Sequence, residues 1–201
     1  MNWTPLIATL AATAFIIGRF PFHRPTLTRQ VSRRINDKVL RSEPALKVTH
    51  RVYLFANPIS GSNRARMYLQ SGPEDFWVPF NDSTCAKVCI FNVLEKSEVR
   101  TAFEKLGKDL AEGFACTIVI MGGDGGLTHT LNGIKRNQKL LEQIQLMTFV
   151  CLPFGSGNDA AKVLGWDSSF SGSYLKDLTS IVKEICLNST VKRMNIWDLY
   201  I

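Results

Sequence analysis

The chain has 201 residues, with 24 Lys+Arg against 17 Asp+Glu and a formal charge of +7. Hydrophobic residues make up 45% and charged residues 20%, a globular composition that excludes a disordered tail, a collagen-like chain and a multi-span membrane protein. Five cysteines with no CxxC pair also exclude a disulfide scaffold and a zinc-finger pattern. Cys85, Cys89, Cys116, Cys151 and Cys186 fall mostly in apolar runs and read as small core residues in a reducing compartment.

The charge is unevenly placed. Residues 1–51 hold nine of the basic side chains and two of the acidic ones, so residues 52–201 hold fifteen of each. A neutral domain of this kind has no electrostatic footprint for nucleic acid. Residues 3–18 (WTPLIATLAATAFIIG) carry no charge. As a helix they would be about 24 Å long at ~1.5 Å per residue, against a bilayer core of about 30 Å. The expectation is a short hydrophobic helix within residues 1–22, associating with a membrane through residues 3–18. Trp3 at one end and Arg19, Phe20 and Phe22 at the other suit an interface. Residues 23–50 read as a basic linker that could rest on anionic headgroups. All nearby positive charge follows the apolar run, so the rest of the chain is expected on the cytosolic side of a membrane, the endoplasmic reticulum first. Mitochondrial targeting is the alternative, because the first acid is Asp37 and Arg, Ser and Thr dominate between Arg19 and Arg34. A cleaved signal peptide would want a basic start, which is absent.

Beyond residue 51, short apolar runs alternate with helical patterns. Strands are expected at residues 52–56 (VYLFA), 87–93, 116–121 (CTIVIM) and 146–152 (LMTFVCL), and residues 191–201 look β-like at their start and end. Val99, Ala102, Phe103, Leu106 and Leu110 recur at helical spacing within residues 97–112. Further helices are expected at residues 127–135, 159–164 and 174–185. Continuous apolar strands separated by helices imply an α/β fold with a parallel sheet covered on both faces. Ligands of such sheets bind at the C-terminal ends of the strands.

Three of those strand ends carry loops that run into helices: Asn57-Pro58-Ile59-Ser60-Gly61-Ser62-Asn63, then Gly122-Gly123-Asp124-Gly125-Gly126, then Pro153-Phe154-Gly155-Ser156-Gly157-Asn158-Asp159. Strand, glycine-rich loop and helix N-terminus together suit phosphate, since the backbone can come close and free N–H groups face the anion. Neither GxxxxGK[ST] nor GxGxxG occurs. A carboxylate among four glycines, Asp124, could bind Mg²⁺, accept a proton from an attacking hydroxyl, or cap the helix expected near Leu127. On an exposed loop, its replacement by Asn should leave folding nearly unchanged. Asp159 suits the first turn of a helix on electrostatic grounds alone. Asn57, Ser60 and Asn158 could bond a nucleotide or brace turns. His129 could face the site or solvent.

Together the three loops resemble the catalytic domain of the diacylglycerol kinase family, which also includes sphingosine and ceramide kinases. The resemblance covers residues 51–201. Asn57-Pro58-Ile59-Ser60-Gly61 resembles the family's NPxSG, Gly122 to Gly126 its GGDGT, and Pro153 to Asp159 its PxGTGND. Leu131-Asn132-Gly133 and Ala160-Ala161-Lys162-Val163-Leu164-Gly165-Trp166 are similar to the stretches that follow. The resemblance implies a nucleotide-binding domain of the diacylglycerol kinase/NAD kinase-like type and Mg²⁺-dependent phosphotransfer from ATP to a lipid. ATP would lie over Asn57, Pro58, Ser60, Gly61, Gly122, Gly123, Gly125, Gly126, Gly155, Ser156, Gly157 and Asn158. Asp124 matches the aspartate proposed to take the lipid's proton.

Gly126 departs from the family's usual Thr and His129 from its usual Glu. The family's second, β-rich domain is absent up to Ile201, so a truncated catalytic domain is expected, turning over far more slowly than a two-domain relative. Two classes of function follow. One is a membrane-associated lipid kinase making phosphatidate from diacylglycerol, with a sphingoid base or ceramide as the alternative substrate. The other is a tethered nucleotide-binding module without turnover.

Overall fold

A computed structural model describes residues 9–17, 40–61, 63–71, 75–166 and 178–197. Seven strands form one sheet in the order β3-β4-β2-β5-β6-β1-β7. In chain order the strands are β1 (Thr9–Ile17), β2 (Lys47–Ala56), β3 (Phe76–Pro79), β4 (Thr84–Asn92), β5 (Cys116–Gly122), β6 (Met147–Pro153) and β7 (Thr190–Trp197). The five inner strands pair in parallel, and the two edge strands, β3 and β7, run antiparallel to their neighbours. The α/β parallel sheet read from the sequence is therefore present.

The inner strands form because their side chains are apolar on both faces, as a sheet covered on both sides requires. Val52 through Ala56 are all buried, as are Ile118 through Met121 and Phe149 through Leu152. α1 (Lys96–Ala111) buries Ala102, Leu106 and Leu110, the stripe read from its spacing. α2 (Asp124–Lys135) and α3 (Gln138–Leu141) follow, and α3 packs against both α1 and α2. A 3-10 segment at Arg64–Ser71 packs on β2 and β4. α4 (Asp159–Val163) sits on β6, and α5 (Leu178–Lys183) continues into a π-helical turn at Glu184–Asn188. Of the helix expected over 174–185, residues 174–177 lie outside the described residues. β3 and α3 were not expected. Four cysteines are buried and Cys186 is partly so, all of them free, and burial pushes the thiols of Cys116, Cys151 and Cys186 up to about 12.

One expectation is overturned. The N-terminal hydrophobic helix is not formed where the chain is described. Thr9–Ile17 is a strand, set parallel to β6 with Ala14 opposite Thr148, and antiparallel to β7 with Ile16 opposite Val191. The rest of residues 3–18 and residues 23–39 of the expected linker lie outside the described residues, while the end of that linker is already structured, with Leu40 bridged to Trp77 and residues 47–50 inside β2. No helix among the described residues is long and apolar enough to cross a membrane. The physical reason is that an uninterrupted apolar run serves equally as a lipid-facing helix and as an inner strand covered on both faces. The backbone of these nine residues finds ladders on both sides, with β6 and with β7.

Candidate functional site

All three loops emerge on one edge of the sheet, because β2, β5 and β6 run parallel and end there. The first leaves β2 through a turn braced by Asn57, whose Oδ1 accepts the Ile59 N–H at 3.2 Å while its own N–H donates to the Met121 carbonyl at 3.0 Å. Gly61 and Asn63 follow with φ of +48° and +63°, the left-handed region that bends the chain into the 3-10 segment.

The loops meet through their backbones. A Cβ on Gly61 would strike the Phe154 carbonyl oxygen, and one on Gly155 would strike the Cα of Gly123. A Cβ on Gly123 would stand 2.7 Å from the Gly157 carbonyl oxygen. Glycine is thus needed at these positions for contact between loops, a role the phosphate argument did not supply. Gly125 differs, since a Cβ there would meet nothing within 4 Å. Phe154, buried under the third loop, sets its ring edge-on to Tyr68 at 5.7 Å and so ties that loop to the 3-10 segment. Asn158 is buried and closes the third loop on itself. Its Oδ1 accepts the Gly155 N–H at 2.9 Å and its Nδ2 donates to the Gly155 carbonyl at 2.7 Å. Asn57 and Asn158 therefore hold turns, the second of the two roles open to them in sequence.

Asp124 is not on an exposed loop. It is the first residue of α2, half-buried, and its carboxylate crosses to another helix. Oδ1 accepts the Ala160 N–H at 2.9 Å and Oδ2 the Asp159 N–H at 3.1 Å. The expected cap is real, but it closes α4, not Asp124's own helix. Two orphan amides of α4 are satisfied by a residue 35 positions upstream, and no local signal could have pointed to it. Both donors are neutral, so the negative charge is held in place without an opposing cation, and each oxygen keeps capacity for another partner. That charge reaches Cys151, where it adds to burial in raising the thiol.

In the three loops Gly125, Ser156 and Gly157 are exposed, and Ser60 and Gly126 are half-exposed. Among the described residues, the amides of Gly125, Ser156 and Gly157 donate to no protein group. His129 points to the exposed side of α2. Beside the first loop a cleft of about 470 Å³ is lined by Pro58, Ile59, Arg66, Asn92 and Leu94 among others. No group of three or more His, Cys, Asp or Glu able to hold a metal stands among the described residues. A cation here would therefore rest on one or two carboxylates plus ligand oxygens, the usual manner of Mg²⁺ with phosphates. Unpaired amides, exposed glycines and a fixed carboxylate at one strand edge make a site that can cradle an oxyanion and take a proton beside it.

Comparison with family models matches residues 51–192 to the diacylglycerol kinase catalytic domain. No solved structure matches the chain.

Proposed function

The chain belongs to the diacylglycerol kinase catalytic-domain family, and we propose that it transfers the γ-phosphoryl group of ATP to the hydroxyl of diacylglycerol, giving phosphatidate and ADP. The observation that carries this reading is the Asp124 carboxylate, fixed by two backbone amides beside the exposed glycines of the second and third loops. In the proposed reaction the lipid hydroxyl oxygen forms a bond to the γ-phosphorus as the bond to the β-bridging oxygen breaks. The hydroxyl proton passes to Asp124. The amides of Gly125, Ser156 and Gly157 receive phosphate oxygens, and the cleft beside Pro58 and Ile59 takes the nucleoside. Mg²⁺ carried in on the phosphates would supply charge neutralisation, leaving Asp124 free to take the proton. Phosphoryl transfer depends chiefly on such positioning and electrostatic stabilisation.

A nucleotide-binding module without turnover is the second reading. It is favoured by Gly126, which offers no hydroxyl toward the phosphates, and by His129, which offers no carboxylate one turn into α2. Radiolabelled ATP with diacylglycerol, sphingosine or ceramide in mixed micelles tests both readings, with Asp124→Asn as the blank. Labelled phosphatidate that disappears in the blank supports the kinase. ATP binding with no labelled lipid from any of the three supports the module.

A further inference from the structure

A cavity of about 210 Å³ lies between α1 and α2. Its floor is apolar, made by Phe55 near the end of β2, Val93 just past β4, and Val99 and Phe103 on α1. The Phe55 and Phe103 ring centroids stand 5.9 Å apart. Gly133 lets the Phe103 ring lie against α2, since a Cβ there would stand 2.8 Å from that ring. Val93, Val99 and Phe103 are only partly buried, so water still wets apolar surface in the cavity.

The facing wall is a single stripe of α2 and its C-cap. His129, Asn132, Gly133 and Arg136 recur at helical spacing, and all of them line the cavity. The side chains of His129, Asn132 and Arg136 are exposed and make no hydrogen bond or ion pair with another described residue. Thr130, also in the lining, differs, because its hydroxyl donates to the Gly126 carbonyl at 2.9 Å. No acid stands among the described residues of the lining, so the Arg136 charge is unopposed within the cavity. Asp124 belongs elsewhere. It precedes His129 by five residues, about 140° round the helix at ~100° per residue, and its carboxylate is turned to α4.

We propose that this cavity is a second binding site, for a small amphipathic anion: a short apolar chain that ends in a carboxylate or a phosphate. The chain covers the wetted surface of Val93, Val99 and Phe103. The head meets α2, where the Arg136 guanidinium offers a fork of N–H donors and the Asn132 amide, one turn away, offers another. Size narrows the class further. The 210 Å³ hold about seven water volumes at ~30 Å³ each, enough for one short chain and too little for the two chains of a diacylglycerol. The site is separate from the proposed phosphotransfer centre, and its occupancy does not depend on the kinase reading.

The test is titration of the isotope-labelled full chain with octanoate, octyl phosphate, octanol and acetate, followed by amide chemical shifts. Both octyl anions should saturate, with the shifts centred on residues 129–136 and on Val99 and Phe103, and saturating Mg·ATP should leave their affinities unchanged. Octanol lacks the head and acetate the chain, and each should bind at least about ten-fold more weakly than octanoate. Arg136→Gln should weaken both octyl anions about ten-fold, the usual worth of a hydrogen bond to a charged group. It should leave octanol binding, the melting temperature and Mg·ATP affinity unchanged. Tighter binding of octanoate assigns a carboxylate head and tighter binding of octyl phosphate a phosphate head, and either supports the proposal. Octanol binding as tightly as octanoate, or wild-type affinity for both anions in Arg136→Gln, overturns it. So do displacement by Mg·ATP and shifts confined to the three loops, since the anion would then sit in the phosphate cradle.

Discussion

The sheet handles carboxylates in opposite ways at its two ends. At the edge away from the glycine loops, Asp109 is locked by side chains. Its Oδ1 accepts from Arg51 at 2.9 Å and its Oδ2 from the Tyr53 hydroxyl at 2.7 Å, while the Arg51 guanidinium stacks 3.7 Å over the Phe114 ring. Burial first, and then the Asp109 bond and charge, push the Tyr53 hydroxyl pKa up. On the flank, Asp75 is held by Lys105 at 2.7 Å, Lys87 at 2.9 Å and the Cys89 thiol at 2.7 Å. At the loop edge, the partners of Asp124 among the described residues are backbone amides. A carboxylate neutralised by cations has spent its charge on holding the fold. One held by neutral donors keeps its charge unmatched, which is why the proposed reaction assigns the proton to Asp124.

This contrast can be broken most severely at the loop edge, through the glycines. Gly155→Val puts branched carbon where the Gly123 backbone already stands, and no flexible side chain can give way. We expect a loss of about 3 kcal/mol or more in urea unfolding, with Mg·ATP binding lost as well. Gly125→Ala, facing open space, should cost about 0.5 kcal/mol or less and serves as the control. Equal effects at the two positions would show that the loops do not meet as described.

At the opposite edge, Asp109→Ala removes the partner of a guanidinium whose side chain is only 16% exposed. The expected cost is about 2–3 kcal/mol, toward the lower end for a buried pair because some water reaches it. Isothermal titration should show Mg·ATP binding unchanged, since the latch stands at the other end of the strands. A weakened nucleotide affinity at full folding would couple the two ends and undo the comparison.

Much of the architecture was legible in the residues, and what was not has definite causes. β2, β4, β5 and β6 were readable because parallel inner strands need continuous apolar runs and their breaks fall at Asn-Pro, Gly-Gly and Pro. The same signal misled at Thr9–Ile17, where an inner strand and a lipid-facing helix demand the same side chains. β3 was missed because four residues ending in Pro79 carry too little pattern, and its ladder with β4 is a long-range contact. At the candidate site the three loops and Asp124 were visible as motifs. The partners of Asp124 were not, because the two amides on its carboxylate are non-local and carry no side-chain signature. Nor could spacing tell Gly155, needed against Gly123, from Gly125, which faces open space.

The flank offers a pH test. Burial alone would raise the Asp75 carboxyl, but the donors Cys89, Lys105 and Lys87 outweigh it and bring it down to about 2 from an ordinary 3.8. A depressed carboxylate stabilises the fold above its unfolded pKa and loses that contribution as pH falls through the folded one. The wild type should therefore exceed Asp75→Asn by about 2 kcal/mol at neutral pH. That gap should close between about pH 4 and about pH 2. A gap that persists at pH 2 would mean that the two lysines are held by something other than the carboxylate's charge.

A modest expected stability effect, at Asp124, is the most informative about function. Asp124→Asn keeps one acceptor for the amides of α4 and replaces the other with a donor, which points N–H at N–H. The loss should be about 1 kcal/mol, the usual worth of an N-cap. If capping were the residue's whole purpose, the loosened third loop would weaken Mg·ATP binding and turnover together, in step with the stability lost. If the carboxylate accepts the lipid's proton, nucleotide affinity should change little in Asp124→Asn. Turnover should then fall by about 10²–10⁴, the usual contribution of a positioned base. The kcat against KM split in Asp124→Asn, measured beside its urea midpoint, decides between a clamp on α4 and a base that is also a clamp.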